Sequence, residues 1–301
     1  MKVFITGGTG FVGTNLTREL ALQGHEVTIL TRKERAPDPA QPGIGYLVGD
    51  PTREGPWMAA APEHDWIINL AGASIFERWT PEVKKTLYES RILTTRNLVM
   101  ALAAGDRRQL FCSTSALGYY GSRGDEPLTE TSPPGNDFLA GLAVDWEAEA
   151  LKAQDLGVRT VITRFGLVLG RGGGVLGQMV PLFRKFLGGP VGSGDQWFSW
   201  IHQQDQVRAF LFVKDHPEIS GPVNFTAPNP VRNRELAKAL GRALHRPSFM
   251  PAPAFMIRLI LGEFGQVVLG GQKVLPQKLL DAGFTYLYPA IEQALEDLLG
   301  K

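Results

Sequence analysis

The sequence predicts an α/β protein, a doubly wound parallel sheet with a smaller, discontinuous C-terminal lobe. Three observations carry that expectation. A short apolar strand, Lys2–Thr6, runs straight into Gly7, Gly8, Gly10 and Gly13 and then into a helix-forming run, Thr14–Gln23. Strand-length apolar runs alternate with helical stretches through the first half of the chain. After Gly166 that alternation gives way to crowded glycines and prolines. Alternation of this kind requires parallel strands, because each crossover helix returns the chain to the same end of the sheet.

The helix over Thr14–Gln23 ends at Gly24, where a residue free to take positive φ stops it. Glu26–Leu30 and Gly45–Val48 are the next strands, and Trp66–Ala71 is a fourth. Pro81–Ala104 reads as a long helix, with Leu87, Leu98 and Leu102 on roughly helical spacing. Gln109–Ser113 is a strand, Asn136–Gln154 a helix and Arg159–Arg164 a strand. Val207–Val213 and Val223–Phe225 are expected to return to the sheet, and Arg234–Leu244 and Pro276–Ala282 to be helices of the lobe. The division is therefore residues 1–166 plus about 205–226 for the sheet domain, and about 167–204 plus 227–301 for the substrate lobe. Arg32–Pro42 is a polar, proline-bearing loop.

Composition bounds the function. A chain of 301 residues, 44% hydrophobic and 20% charged, can bury a sizeable core. Its net charge of +1 gives no reason to expect nucleic acid or a membrane surface as partner, so a small-molecule substrate is expected. Monomer and homodimer both stay open. Cys112 is the only cysteine, which excludes an intrachain disulfide and a thiolate metal cluster, and it reads as a small buried hydrophobe. The five histidines have no ligand-like spacing, so no metal is expected. With no leader-like segment and no long apolar span, a cytoplasmic location is expected.

The strand–glycine–helix opening carries the chemistry. Glycine is needed where a strand turns sharply and a phosphate must approach bare backbone. The amides at the start of the next helix then face a pyrophosphate, and the helix dipole favours its charge. This assigns a dinucleotide to the loop Gly7, Thr9, Gly10, Phe11, Val12 and Gly13, within a Rossmann-type sheet. An NAD site usually ends the second strand with an acid for the ribose 2′-hydroxyl. Here that position reads Ile29-Leu30-Thr31-Arg32-Lys33, and Arg32 suits a 2′-phosphate, so the expected cofactor is NADP(H). Gly49 and Asp50 are expected to border the adenine. Leu70, Ala71 and Gly72 are expected to line the path to the nicotinamide ribose, since ligands of such sheets lie beyond the strands' carboxyl ends. Ser113, Thr114 and Ser115 close the fifth strand, with Ser115 the candidate to polarise a reacting oxygen.

The chain resembles the extended, atypical short-chain dehydrogenase/reductase superfamily, and within it the epimerase-family proteins of the bacterial YfcH type. The resemblance rests on ITGGTGFVG at 5–13, INLAG at 68–72, ERWT at 77–80, STSALGYYG at 113–121 and RFGLVLG at 164–170. Further on it rests on GGGVLGQM at 172–179, WIHQQD at 200–205, NPVRN at 229–233, ALHRP at 243–247 and VLGGQKVLP at 268–276. It implies NADP(H) on the glycine loop and Arg32, and a substrate cleft against the C-terminal part. It implies no particular reaction.

One departure bears on chemistry. The superfamily usually places Tyr and Lys four apart on the helix after the fifth strand, as acid/base and as the cation that lowers its pKa. Phe138 and Leu142 stand there, and Arg91 stands where many relatives carry an asparagine on the preceding helix. Tyr119 or Tyr120 is the replacement expected for the tyrosine, with Arg164 or Arg78 as the cation; Arg164 also counts among the cofactor-side residues. His202, beside Trp197 and Trp200, is a further candidate acid or base. Asp205 is expected to cap a helix starting at Gln206, Arg232 and Arg234 to meet an anionic substrate, and Arg78-Trp79 to fold over the nicotinamide end. The leading expectation is an NADP(H)-dependent oxidoreductase acting on a small carbonyl or hydroxyl substrate. A nucleotide-sugar epimerase or dehydratase, and a non-catalytic NADP(H)-sensing or scaffolding protein, are the alternatives.

Overall fold

The computed structural model describes residues 1–105 and 108–300. Its first elements are β1 (Lys2–Thr6), α1 (Phe11–Leu22), β2 (Glu26–Thr31), β3 (Ile44–Val48), β4 (Trp66–Asn69), α2 (Pro81–Leu102) and β5 (Leu110–Ala116). Next come β6 (Pro127–Leu128), α3 (Phe138–Leu151), β7 (Arg159–Phe165), β8 (Leu167–Leu169), α4 (Gly174–Arg184), β9 (Trp197–Phe198), β10 (Trp200–His202), α5 (Gln203–Asp215) and β11 (Gly221–Phe225). The chain closes with β12 (Val231–Arg232), α6 (Asn233–Leu244), α7 (Ala254–Leu261), α8 (Phe264–Leu269), β13 (Lys273–Val274), α9 (Gln277–Asp281) and α10 (Ile291–Leu299).

Seven strands form one parallel sheet in the order β3-β2-β1-β4-β5-β7-β11. Strand order reverses between β1 and β4, and that switch point opens a crevice at the carboxyl ends of the strands. Both faces of the sheet are covered, which is why its strands are apolar without alternation. Val3, Ile5, Trp66, Ile68, Cys112 and Val161 pack on one face against Leu16 and Leu20 of α1 and Phe210 and Val213 of α5. Phe4, Ile67, Phe111 and Ile162 point to the other face, against Leu98 and Leu102 of α2 and Ala150 of α3. Leu16 and Leu20 are fully buried, a contribution of roughly 1.5–3 kcal/mol each. Cys112 accepts a hydrogen bond from Trp66 Nε1 at 3.3 Å, and burial pushes its thiol up to about 12, so it is an inert core residue.

Val207–Val213 is a correction, because the segment lies inside α5 and is not a strand. Val207, Phe210 and Val213 recur every third residue and all are buried, a helical stripe that a short apolar run conceals. Asp205 is also displaced from its expected role. α5 begins at Gln203, capped by His202 Nδ1, which accepts from the Gln204 amide at 3.1 Å. The fully buried Asp205 carboxylate instead accepts from the amides of Leu287 (2.8 Å) and Tyr288 (2.9 Å).

A separate apolar cluster gathers Leu176 and Phe183 of α4, Trp200, Leu236 and Leu240 of α6, and Ile291, Leu295 and Leu298 of α10. α7 packs on α8, and α8 meets the start of α2, where Lys84 pairs with Glu263 at 2.5 Å.

Candidate functional site

β1 runs into its glycine loop because Gly7 holds φ +71, which a side chain rarely adopts. A Cβ there would lie 2.7 Å from the Leu70 carbonyl, so the loop presses on the segment after β4. Gly13 brings α1 down onto the loop, since its Cβ would sit 2.3 Å from the Gly7 carbonyl oxygen. The Gly10 amide donates to Gly7 O at 3.0 Å and Thr14 donates to Gly10 O at 2.9 Å. Gly10 caps the helix without a side chain, and the first turn holds no acid. Helix geometry therefore leaves the amides of Phe11, Val12 and Gly13 without intrahelical acceptors. A pyrophosphate fits this cradle by shape and by charge.

The Phe11 ring explains glycines whose role the sequence conceals. A Cβ at Gly170, Gly173 or Gly174 would come within 2.8 Å of it, so the glycine run after β8 exists to receive that ring. Gly49 is shaped by packing too, with its would-be Cβ 2.8 Å from Trp57 Cδ1.

Arg32 stands exposed past β2, beside the turn in which Thr31 Oγ1 accepts from the Lys33 amide at 3.3 Å. Asp50 accepts from Thr52 N (3.0 Å) and Thr52 Oγ1 (2.7 Å), with Arg53 at 3.9 Å. Burial pushes its carboxyl up, but the Thr52 bonds and the nearby Arg53 and Arg32 outweigh that and hold it low. Two arginines therefore flank this rim. Arg53 was not singled out from sequence. At the end of β4 the buried Asn69 accepts from Thr6 (2.7 Å) and donates to Thr95 (2.9 Å), which sets the direction of Leu70-Ala71-Gly72.

Several expected catalytic residues are occupied elsewhere. Ser115 is buried and donates to Glu147 Oε1 at 2.6 Å. Arg164 grips Glu147 through Nε (2.8 Å) and Nη2 (2.7 Å). Only 2% of its surface is exposed, so it is a core ion pair and not the cofactor-side cation expected. Tyr120 is wholly buried; its hydroxyl donates to Asn224 Oδ1 (2.7 Å) and accepts from Arg164 Nη1 (2.9 Å). Burial pushes that phenol up to about 12. Tyr119 keeps partial exposure, with the Arg164 guanidinium 3.5 Å from its ring centroid.

His202, expected as an acid or base, caps α5 through Nδ1. Its Nε2 approaches Asp297 to 3.2 Å, but without hydrogen-bond alignment, and burial holds its pKa down. Arg232 is paired with Asp125 and Arg234 with Asp195, so neither is a free anion receptor.

Phe138 and Leu142 belong to an apolar cluster with Trp79, Leu87 and Phe264; the Trp79 ring lies 5.4 Å from Phe138 and 5.5 Å from Phe264. Beside it lies Arg91, which donates to Leu87 O (3.0 Å) and Ala73 O (3.0 Å) and stacks over Trp146, one turn beyond Leu142. Among the described residues no carboxylate pairs with it, and burial pushes it down to about 10. A Cβ on Gly72 would lie 3.2 Å from its guanidinium carbon.

Next to this cluster opens a cleft of about 210 Å³, between the start of α3 and α8. Its polar lining is Ser122, Asp137, Glu263, Gln266 and Gln272, and its apolar wall includes Trp79 and Phe138. Asp137 caps α3, accepting from Ala140 N at 2.9 Å through Oδ1. Sequence reading missed Asp137 and Glu263, which lie 126 positions apart and line one cleft only through tertiary folding. Among the described residues, no His/Cys/Asp/Glu group is arranged to hold a metal, and no helix is long and apolar enough to cross a membrane.

Comparison with known proteins agrees with this geometry. The epimerase family protein SH2119 of Staphylococcus haemolyticus is 41% identical over 304 residues, 99% of each chain. The crystal structure of the human epimerase family protein SDR39U1 with NADPH superposes with a TM-score of 0.87, at 34% identity over 99% of each chain. A nucleoside-diphosphate sugar epimerase from Corynebacterium glutamicum is 33% identical, covering all of this chain and 58% of that one, with a TM-score of 0.80. A domain of unknown function, DUF1731, matches residues 252–298. Residues 3–225 match the NAD dependent epimerase/dehydratase family, and the chain belongs to that family.

Proposed function

We propose that the chain is an NADP(H)-dependent oxidoreductase of the extended short-chain type, acting on a small carbonyl or hydroxyl substrate. The observation that carries this reading is the glycine cradle at the uncapped N-terminus of α1, with Arg32 and Arg53 at its rim. The NADPH in the human relative supports the same cofactor here. When bound, that cofactor supplies the hydride. The amides of residues 11–13 hold its pyrophosphate, Arg32 and Arg53 its extra phosphate, and Ala71 and Gly72 border its ribose. Arg91 supplies the positive charge that Leu142 cannot. Arg32→Glu should weaken NADPH about 10–100-fold by calorimetric titration and leave NADH nearly unchanged, the scale of a lost charge-assisted bond. NADH binding the native protein as tightly as NADPH would overturn the assignment.

The substrate lies in the cleft, and Asp137, next to the residue that replaces the usual tyrosine, exchanges its proton. Asn caps a helix about as well as Asp but cannot titrate. Asp137→Asn should therefore keep the melting temperature and NADPH affinity while lowering hydride exchange about 10²–10⁴-fold. Full exchange in that variant removes Asp137 from the mechanism. The apolar packing of Phe138 and Leu142 favours a second reading, a protein that binds NADP(H) without turnover. Stereospecific transfer of label from NADPH to any carbonyl in a metabolite pool excludes it. Tightly held NAD⁺ in the purified protein would instead favour a nucleotide-sugar epimerase.

A further inference from the structure

The face built from residues 182–192 and 246–261 is apolar and basic at once. Leu182, Phe186, Leu187, Phe249, Phe255, Leu259 and Ile260 are each at least half exposed, and no residue of α7 is buried. The two segments are stitched together: Met250 N donates to Gly188 O (3.1 Å), Ala252 N to Pro190 O (2.9 Å) and Gly192 N to Ala252 O (2.8 Å). Phe186 holds φ +62, one of two positive-φ non-glycine residues among the described residues, yet it is 57% exposed. A glycine would take that conformation without strain, so an aromatic ring held outward there is retained against a backbone cost. The Arg246 guanidinium lies 5.0 Å from its centroid.

Charge selects the occupant. Arg184, Lys185, Arg246 and Arg258 are exposed and have no ion-pair partner among the described residues. Residues 182–192 and 246–261 contain no Asp or Glu. The net charge of +1 thus hides an asymmetry, with +4 on this face and −3 on the rest of the chain. A two-fold copy would set the same cations against each other, because an isologous interface meets its own patch. An anionic headgroup layer neutralises the cations and admits the exposed rings and aliphatic side chains into its acyl boundary.

We infer that this face docks on an anionic phospholipid surface, with α7 lying in the interface and Phe186 beside it. This stands independently of the reaction proposed above. The test is co-sedimentation of the full chain with vesicles of mixed phosphatidylglycerol and phosphatidylcholine, beside vesicles of phosphatidylcholine alone. Binding is expected only with the anionic vesicles, and it should fall steeply by about 0.5 M salt. Arg184→Glu with Lys185→Glu should lower it about tenfold or more, and Phe255→Ser with Leu259→Ser should abolish it at low salt. Unchanged NADPH titration confirms that each variant is folded. No sedimentation with anionic vesicles, equal sedimentation with neutral ones, or a dimer by light scattering that Leu259→Ser splits, would each overturn the inference.

Discussion

Gly13→Ala is expected to remove NADPH binding while leaving a folded but weakened protein. The added methyl would stand 2.3 Å from Gly7 O and 2.6 Å from the Gly8 Cα, backbone atoms that no rotamer change can move aside. α1 must lift from the loop, and overpacking of this kind costs about 1–3 kcal/mol. The effect on binding is larger, because the amides of Phe11, Val12 and Gly13 leave the arc that faces the pyrophosphate. A displacement near 1 Å at such a site costs on the order of a hundredfold. Calorimetric titration with NADPH, alongside a denaturant midpoint, separates the two losses. NADPH affinity within about threefold of the native protein would show that the phosphates rest elsewhere.

Arg164→Met is expected to cost about 3–5 kcal/mol of stability, a large part of the roughly 5–15 kcal/mol that a folded chain possesses. The substitution strands the Glu147 carboxylate, 6% exposed, with Ser115 as its remaining side-chain donor, and leaves Tyr120 without one of its partners. Adding Glu147→Leu should recover much of the loss, because a buried ion pair replaced by apolar side chains is often neutral. Chemical denaturation of the single and double variants reads this directly. NADPH affinity should stay within about twofold in the double variant, which separates a core ion pair from a cofactor ligand. A single variant as stable as the native protein would refute the structural role.

Much of the sheet was legible in the chain. Lys2–Thr6 and Trp66–Asn69 are apolar on both faces, and local sequence alone records that. Val207–Val213 misled because seven residues spaced by three satisfy a strand reading as readily as a helical one, and only the neighbours of Phe210 decide. The glycine loop was legible for a related reason. Its geometry depends on contacts between residues a few positions apart, such as Gly13 against Gly7.

Side-chain roles were not legible in the sequence where they depend on partners from other elements. Tyr120 is occupied by Asn224, 104 positions away, and Arg164 by Glu147 on the helix before it. Nothing in the segment around either residue records those partners. Arg91 marks the opposite case: it matters because no carboxylate among the described residues pairs with it, which only the folded chain can display.

The sequence by itself determined the parallel sheet, the glycine loop between β1 and α1 and the basic residue after β2. Those features arise from backbone conformation and from residues close together in the chain. Tertiary structure alone decided which hydroxyls are spent, that the guanidinium of Arg91 is buried with no carboxylate partner among the described residues, and which carboxylates line the cleft. Charge and hydrogen-bonding capacity are consumed by whatever packs against them, and in this protein those partners come from other elements of the fold.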